Sequence, residues 1–184
     1  MNTNMLEQLS HPSLVMVFGR RGSGKTFLAT KIASKWPKEI GGKEVGPVVI
    51  VDHIACAKGE TRPCDYLLRE PPSRQWIEKN KPSLIIVDEA HNYAPNAAKY
   101  DPENVIHLLI HEGRHFNCTL VLLSQRPASL YYGGWSLADH VFMFRMTGSR
   151  DITRIEEFDM EGREKEIKKL LVRSEEHTSE LQSQ

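Results

Sequence analysis

Leu14-Val-Met-Val-Phe-Gly-Arg-Arg-Gly-Ser-Gly-Lys-Thr26 is the stretch from which the fold class follows. It begins with a short continuous apolar run, the pattern of a strand buried on both faces of a parallel sheet. From Gly19 to Thr26 it fits G-x-x-x-x-G-K-[ST] in full. Glycines let the backbone wrap closely round a phosphate and turn successive N–H groups inward. A helical pattern opens at Lys25, and a helix N-terminus adds positive partial charge at the same place. Strand, glycine-rich turn and helix in this order predict a phosphate-binding loop. Its candidate nucleotide-binding residues are Gly19, Arg20, Arg21, Gly22, Ser23, Gly24, Lys25, Thr26 and Phe27. Lys25 is expected to reach the β- and γ-phosphates of ATP, and Thr26 to hold Mg²⁺.

Working outward, Pro47-Val-Val-Ile-Val-Asp52, Ser83-Leu-Ile-Ile-Val-Asp88, Thr119-Leu-Val-Leu-Leu-Ser124 and His140-Val-Phe-Met-Phe-Arg-Met146 read as further strands. Helices are expected over residues 25–36, 74–80, 101–115, 150–158 and 161–171. Pro37 and Gly41-Gly42 end the first of these. Asp101 followed by Pro102 and Glu103 looks like the start of the third, with Asp101 as N-cap. Residues 53–73 are polar, contain proline and show no clear period. Alternating strands and helices predict a three-layer α/β domain, a mostly parallel sheet with helices on both faces, over residues 1–172.

The run from Ser83 ends in Asp88 and Glu89, at the strand edge where open α/β sheets bind ligands. Asp88 is a candidate for the Mg²⁺ shell. Glu89 is placed to orient or deprotonate a water attacking the γ-phosphate, which favours hydrolysis over transfer to a small acceptor. Gln125 follows the fourth strand. It reads equally as a sensor of the γ-phosphate or as a polar loop residue. Asp88-Glu-Ala-His91 spells the DEAH helicase signature, but that family needs two tandem motor domains and this chain has room for one.

The chain has 184 residues, 40% hydrophobic and 26% charged, with a formal net charge of zero. These values suit one ordinary globular domain and give no global push toward nucleic acid or membrane. No apolar run is long enough to span a bilayer, the first residues lack a signal-peptide pattern, and a cytoplasmic protein is expected. Cys56, Cys64 and Cys118 read as reduced thiols. The eleven residues from Arg173 to Ser183 resemble the in-frame translation of a sequencing adapter, so residues 173–184 are set aside and the natural chain is expected to continue differently. His107, His111 and His115 recur every four residues, as a polar helix face or, less readily, a metal site. Tyr131-Tyr-Gly-Gly-Trp135 could stack on bases or pack against the sheet. Lys165, Lys168 and Lys169 read as an exposed helix face.

Taken together these stretches resemble the HerA/FtsK superfamily of DNA-translocating ATPases. The resemblance rests on residues 19–26, on Leu84-Ile-Ile-Val-Asp-Glu-Ala-His-Asn-Tyr-Ala-Pro95, on Glu112-Gly-Arg-His-Phe-Asn-Cys-Thr-Leu-Val-Leu-Leu-Ser-Gln-Arg-Pro127 and on Phe144-Arg-Met-Thr-Gly-Ser-Arg-Asp151. It implies a RecA-like P-loop NTPase sheet and a ring, usually a hexamer, with ATP between subunits and DNA in the pore. It places Gln125 at the family's polar position and Arg114 where a trans-acting arginine is expected, with Arg126 and Arg150 as weaker candidates. The small size looks more like virus genome-packaging ATPases of the superfamily, whose partners include capsid or portal components. The expected function is therefore an ATP-dependent motor moving DNA, in virus or phage packaging. The alternatives are a filamentous-phage assembly ATPase of the zonula-occludens-toxin type, a P-loop kinase, and a non-hydrolysing nucleotide-binding module.

Overall fold

The computed structural model describes residues 9–96, 99–146 and 148–157. Its elements run β1 (Leu14–Phe18), α1 (Lys25–Ser34), β2 (Glu39–Ile40), β3 (Lys43–Glu44), β4 (Val48–Val51), α2 (His53–Lys58), β5 (Tyr66–Leu68) and α3 (Arg74–Asn80). They continue with β6 (Leu84–Val87), α4 (Val105–Glu112), β7 (Thr119–Ser124), β8 (His140–Met143) and α5 (Ser149–Glu157). Six strands form one sheet in the order β5-β4-β6-β7-β1-β8, with every pairing parallel. Strands β2 and β3 pair antiparallel, as a separate two-stranded hairpin.

The apolar runs are strands because each has something to bury on both faces. Along β1, Val15 and Val17 face one side with Leu28, Ala29 and Ile32 of α1, while Met16 and Phe18 face the other with Ile106, Leu109 and Ile110 of α4. The same alternation separates Ile86 from Ile85 and Val87, and Val121 from Leu120 and Leu122. Two apolar layers thus lie on either side of one sheet, giving the three-layer α/β architecture. Sheet order also sets the site. Strand β1 lies between β7 and β8, with β6 beyond β7, so the loops that leave the C-terminal ends of β1, β6 and β7 come together.

Several boundaries differ from expectation. Helix α4 starts at Val105, not at Asp101: Asn104 is the N-cap, its Oδ1 accepting from Ile106 N at 2.9 Å and His107 N at 3.2 Å. Asp101 instead closes a turn by accepting from Glu103 N. The helix ends at Glu112, which puts His115 beyond it. Residues 53–73, which show no period, hold α2 and the edge strand β5. Asp52 caps α2 through Ala55 N at 2.8 Å, and β5 has only three residues with which to show alternation. The last run is a strand only to Met143, beyond which Phe144 N still donates to Phe18 O at 2.7 Å. No helix among the described residues is long and apolar enough to cross a membrane. Phe158, the helix expected over 161–171 with Lys165, Lys168 and Lys169, and the segment from Arg173 to Ser183 lie outside the described residues.

Candidate active site

The glycine-rich turn leaves β1 and is anchored on both sides. Gly19 N donates to Ser124 O at the end of β7, at 3.3 Å, and Arg20 N donates to Arg145 O beyond β8, at 3.0 Å. Gly19 has no room for a side chain: a Cβ there would stand 2.5 Å from Ser23 Oγ and 2.6 Å from the Phe144 Cβ. Gly24, the N-cap of α1, has φ 104°, a conformation that glycine adopts without the Cβ penalty. Ser23 Oγ is buried with no hydrogen-bond partner. Lys25 folds back over the loop, its Nζ donating to Gly19 O at 2.8 Å and Arg20 O at 3.2 Å. Burial pushes the Lys25 pKa down, while the charges of Glu89 and Asp88 oppose that shift. An orphaned hydroxyl, a buried ammonium and a backbone that admits no Cβ are what a cradle for phosphate oxygens needs.

Strand β6 delivers the carboxylates. Thr26 Oγ1 donates to Asp88 Oδ2 at 3.4 Å, and Asp88 Oδ1 accepts from Glu89 N at 2.9 Å. Burial raises the Asp88 pKa, and the neighbouring Glu89 and Asp52 charges add to that, against the Glu89 N–H bond and Lys25. Two hard oxygens this close suit the shell of Mg²⁺, whose adjacent oxygen ligands stand about 2.9 Å apart. Thr26 and Asp88 therefore fit that ion, and such a charge would offset the cost of burying Asp88.

Glu89 has φ 49° and ψ 46°, left-handed backbone that a non-glycine residue holds at a cost of about 1–2 kcal/mol. The reversal opens a single 3₁₀ turn, Ala90–Asn92. It aims the Glu89 carboxylate back across the sheet end toward β7. There Gln125 Nε2 donates to Glu89 Oε1, so the two residues that sequence reasoning placed in separate loops meet directly. His91 Nδ1 lies 3.2 Å from Ser124 Oγ and 3.4 Å from Glu89 Oε2.

The structure thus gathers residues 19–26, Asp88, Glu89 and Gln125 at one sheet edge. Arg20, Arg21 and Phe27 are exposed around the loop, with the Lys31 ammonium 5.4 Å from the Phe27 ring centroid. Arg114 lies elsewhere. It pairs with Asp139 Oδ1, and Asp139 Oδ2 accepts from Leu14 N, which puts Arg114 at the opposite edge of the sheet. His91 and Ser124 were given no role from sequence; the only signal was the D-E-A-H string itself.

The other candidate features resolve into packing. Trp135 is buried and stacks on Phe18, ring centroids 4.5 Å apart. Tyr131 stacks on His107 at 4.3 Å, and Tyr132 is exposed with the Arg154 guanidinium 4.6 Å from its centroid. His107 is fully buried, not on a polar face, and accepts from Asp101 N at its Nδ1. His111 is exposed beside Tyr100 and Tyr131. No group of three metal-ligating side chains occurs among the described residues.

Comparison with known proteins bears on this site. The NACHT domain family model matches residues 13–172. A stretch of 70 residues is 34% identical to the DNA double-strand break repair helicase HerA of Pyrococcus furiosus; it covers 38% of this chain and 13% of that relative. Among solved structures, the genome packaging NTPase B204 of Sulfolobus turreted icosahedral virus 2 in complex with AMPPCP superposes with a TM-score of 0.64. The match has 20% identity and covers 85% of this chain and 87% of that one. The N-terminal domain of zonular occludens toxin from Neisseria meningitidis superposes with a TM-score of 0.51, at 22% identity over 71% of this chain and 76% of that one. The structural likenesses bear on the fold, and they match the RecA-like architecture expected from the motifs.

Proposed function

Since this chain belongs to the NACHT domain family of P-loop NTPases, we propose that it binds MgATP at residues 19–26, hydrolyses it, and uses the energy to move DNA. The observation that carries hydrolysis is Glu89: a carboxylate beside the phosphate cradle, aimed by strained backbone and held by Gln125. Residues 1–172 make up the motor domain in this reading.

Each residue has a distinct task. On ATP binding, Lys25 exchanges its two carbonyl partners for β- and γ-phosphate oxygens. The inward N–H groups and Ser23 Oγ take others. Thr26 and Asp88 would hold Mg²⁺, which would supply charge neutralisation for the phosphates. Glu89 accepts a proton from the attacking water as the new O–Pγ bond forms. The bond from Pγ to the bridging oxygen breaks, leaving ADP and phosphate. Gln125, released from Glu89 Oε1, is free to donate to the γ-phosphate or the water. Arg114 lies too far from its own loop to help: the five residues of β1 separate the two edges by about 16 Å. Its proposed role is to reach the nucleotide of a neighbouring copy in a ring, a hexamer by resemblance.

DNA as the track, preferably double-stranded, is supported by the HerA relative, and packaging into a capsid by the likeness to a packaging NTPase. In that setting the motor works in the host cytoplasm or on the virion, against a capsid or portal component. Phage assembly of the zonular-occludens type is the second reading and shares the same fold.

The test is phosphate release from MgATP by the full chain, with and without long double-stranded DNA, beside Glu89→Gln. Turnover should rise with DNA and fall about a hundredfold or more in Glu89→Gln while MgATP binding persists. Turnover indifferent to DNA removes translocation. Turnover only with a small acceptor makes the chain a phosphotransferase. Tight binding without turnover leaves a nucleotide-dependent binding module.

A further inference from the structure

His91 carries no task in the mechanism above, yet its ring lies between Glu89, which does, and Ser124, whose carbonyl anchors the phosphate loop. Glu89 and Ser124 leave different strands, and His91 Nδ1 is within 3.4 Å of the first and 3.2 Å of the second. The left-handed Glu89 and the turn after it bring the side chain two residues on back alongside the carboxylate. The ring and the Glu89 side chain are 21% and 23% exposed, so water screens the contacts only in part. Glu89 is thereby flanked on both oxygens, Oε1 by Gln125 and Oε2 by His91.

Ser124 is a junction of its own. Its carbonyl accepts from Gly19 N of the phosphate loop, and its hydroxyl accepts from Arg126 N at 3.0 Å. The ring nitrogen offers a single position, as a proton or a lone pair, and cannot satisfy both neighbours fully. When Nδ1 carries a proton it can donate to Glu89 Oε2 or to Ser124 Oγ. When it does not, it accepts from the Ser124 hydroxyl and turns a lone pair toward the carboxylate, which repels it.

We propose that His91 is a positioning residue for the hydrolytic step, setting the orientation of the Glu89 carboxylate and tying it through Ser124 to the phosphate loop. The role rests on the ATPase reading and deepens it. It requires the imidazole nitrogen at the Nδ1 position and nothing of the ring's far side. Asparagine places an amide nitrogen close to that position, whereas alanine leaves Glu89 Oε2 without a partner.

The experiment is steady-state ATP turnover by the full chain as wild type, His91→Ala, His91→Asn, Ser124→Ala and the double variant His91→Ala/Ser124→Ala. Thermal melting and binding of a fluorescent MgATP analogue are read on each. A group that orients the base acts on the chemical step, so His91→Ala should lower kcat about tenfold and leave KM within roughly twofold. His91→Asn should recover most of that loss. Ser124→Ala should add little in the His91→Ala background, because residues acting as one link are not additive. Wild-type turnover retained by His91→Ala overturns the proposal. So does an equal loss in the alanine and asparagine variants, or a double variant whose losses multiply. If His91→Ala does not fold, His91→Leu takes its place beside His91→Asn: kcat low in the leucine variant and recovered in the asparagine variant upholds the role, and equal kcat in the two ends it. Absence of turnover by the wild type is a separate signature: it removes the ATPase reading and the His91 role with it.

Discussion

His107 shows how much a single side chain can hide. It is fully buried on α4, stacked against Tyr131, with Nδ1 accepting from Asp101 N at 3.0 Å and Nε2 lacking a partner. Burial pushes its pKa below the ordinary value, a shift that Asp101 opposes and His111 reinforces. The sign follows directly. The unfolded chain binds the proton more readily than the folded one, so stability is full above pH about 6.5 and declines as pH falls toward the lowered folded value. His11 is shifted the same way by burial and contributes a parallel decline. The difference between wild type and His107→Gln isolates the His107 part. Melting temperature measured from pH 8 to pH 5 should fall less steeply in His107→Gln than in wild type. Parallel curves for the two proteins would mean that His107 titrates normally.

At the scale of elements, α4 offers a comparison between two caps, one expected from sequence and one observed. Asn104 accepts from two N–H groups at the helix start, and its Nδ2 donates to Tyr93 O at 2.7 Å, tying the helix to the loop that follows the candidate base. Asp101 makes a turn and no cap. Asn104→Ala should therefore cost about 1–2 kcal/mol and Asp101→Ala distinctly less, as read by urea unfolding. The reverse order would put the cap back where the sequence suggested. The same comparison explains what was legible. Leu14–Phe18 and Thr119–Ser124 were readable to the residue because a strand buried on both faces is a continuous apolar run with nothing else to be. The start of α4 was not, since Asp101-Pro-Glu and Asn104 are both good openings, and the bond from Asn104 Nδ2 to Tyr93 O that favours the second joins residues eleven positions apart. β5 was not, because Tyr66–Leu68 becomes a strand only by pairing with β4. The site divides the same way. The phosphate loop is contiguous in sequence and was read whole. The Glu89–Gln125 contact and the His91–Ser124 contact join residues more than thirty positions apart, and no local pattern carries that.

For the whole molecule, the decisive fact is that the proposed finger and the proposed base sit at opposite edges of one sheet. The Arg114 side chain is 69% exposed and is steadied by Asp139, whose other oxygen holds the first N–H of β1. The cavity beside Asp88 and Glu89, about 520 Å³ and lined also by Asp52 and Glu70, is rich in acidic groups and open to a guanidinium from outside. A single copy cannot bring the two together; in the proposed ring a head-to-tail pair of copies would, the contact repeating round the closed assembly. The consequence is testable without a ring structure. Arg114→Ala should bind MgATP as wild type does yet lose most of its turnover, by about a hundredfold or more for a finger acting in trans. Glu89→Gln should be inactive for a different reason, and it still carries its arginine. In a one-to-one mixture, about a quarter of interfaces join an intact Glu89 to an intact Arg114, so activity should reappear at roughly that fraction of wild type. Recovery on mixing can come only from sites shared between copies, because neither protein alone contains both groups. If the mixture stays as inactive as its components although both proteins bind nucleotide and assemble, Arg114 belongs to its own chain's edge, held by Asp139 for stability alone.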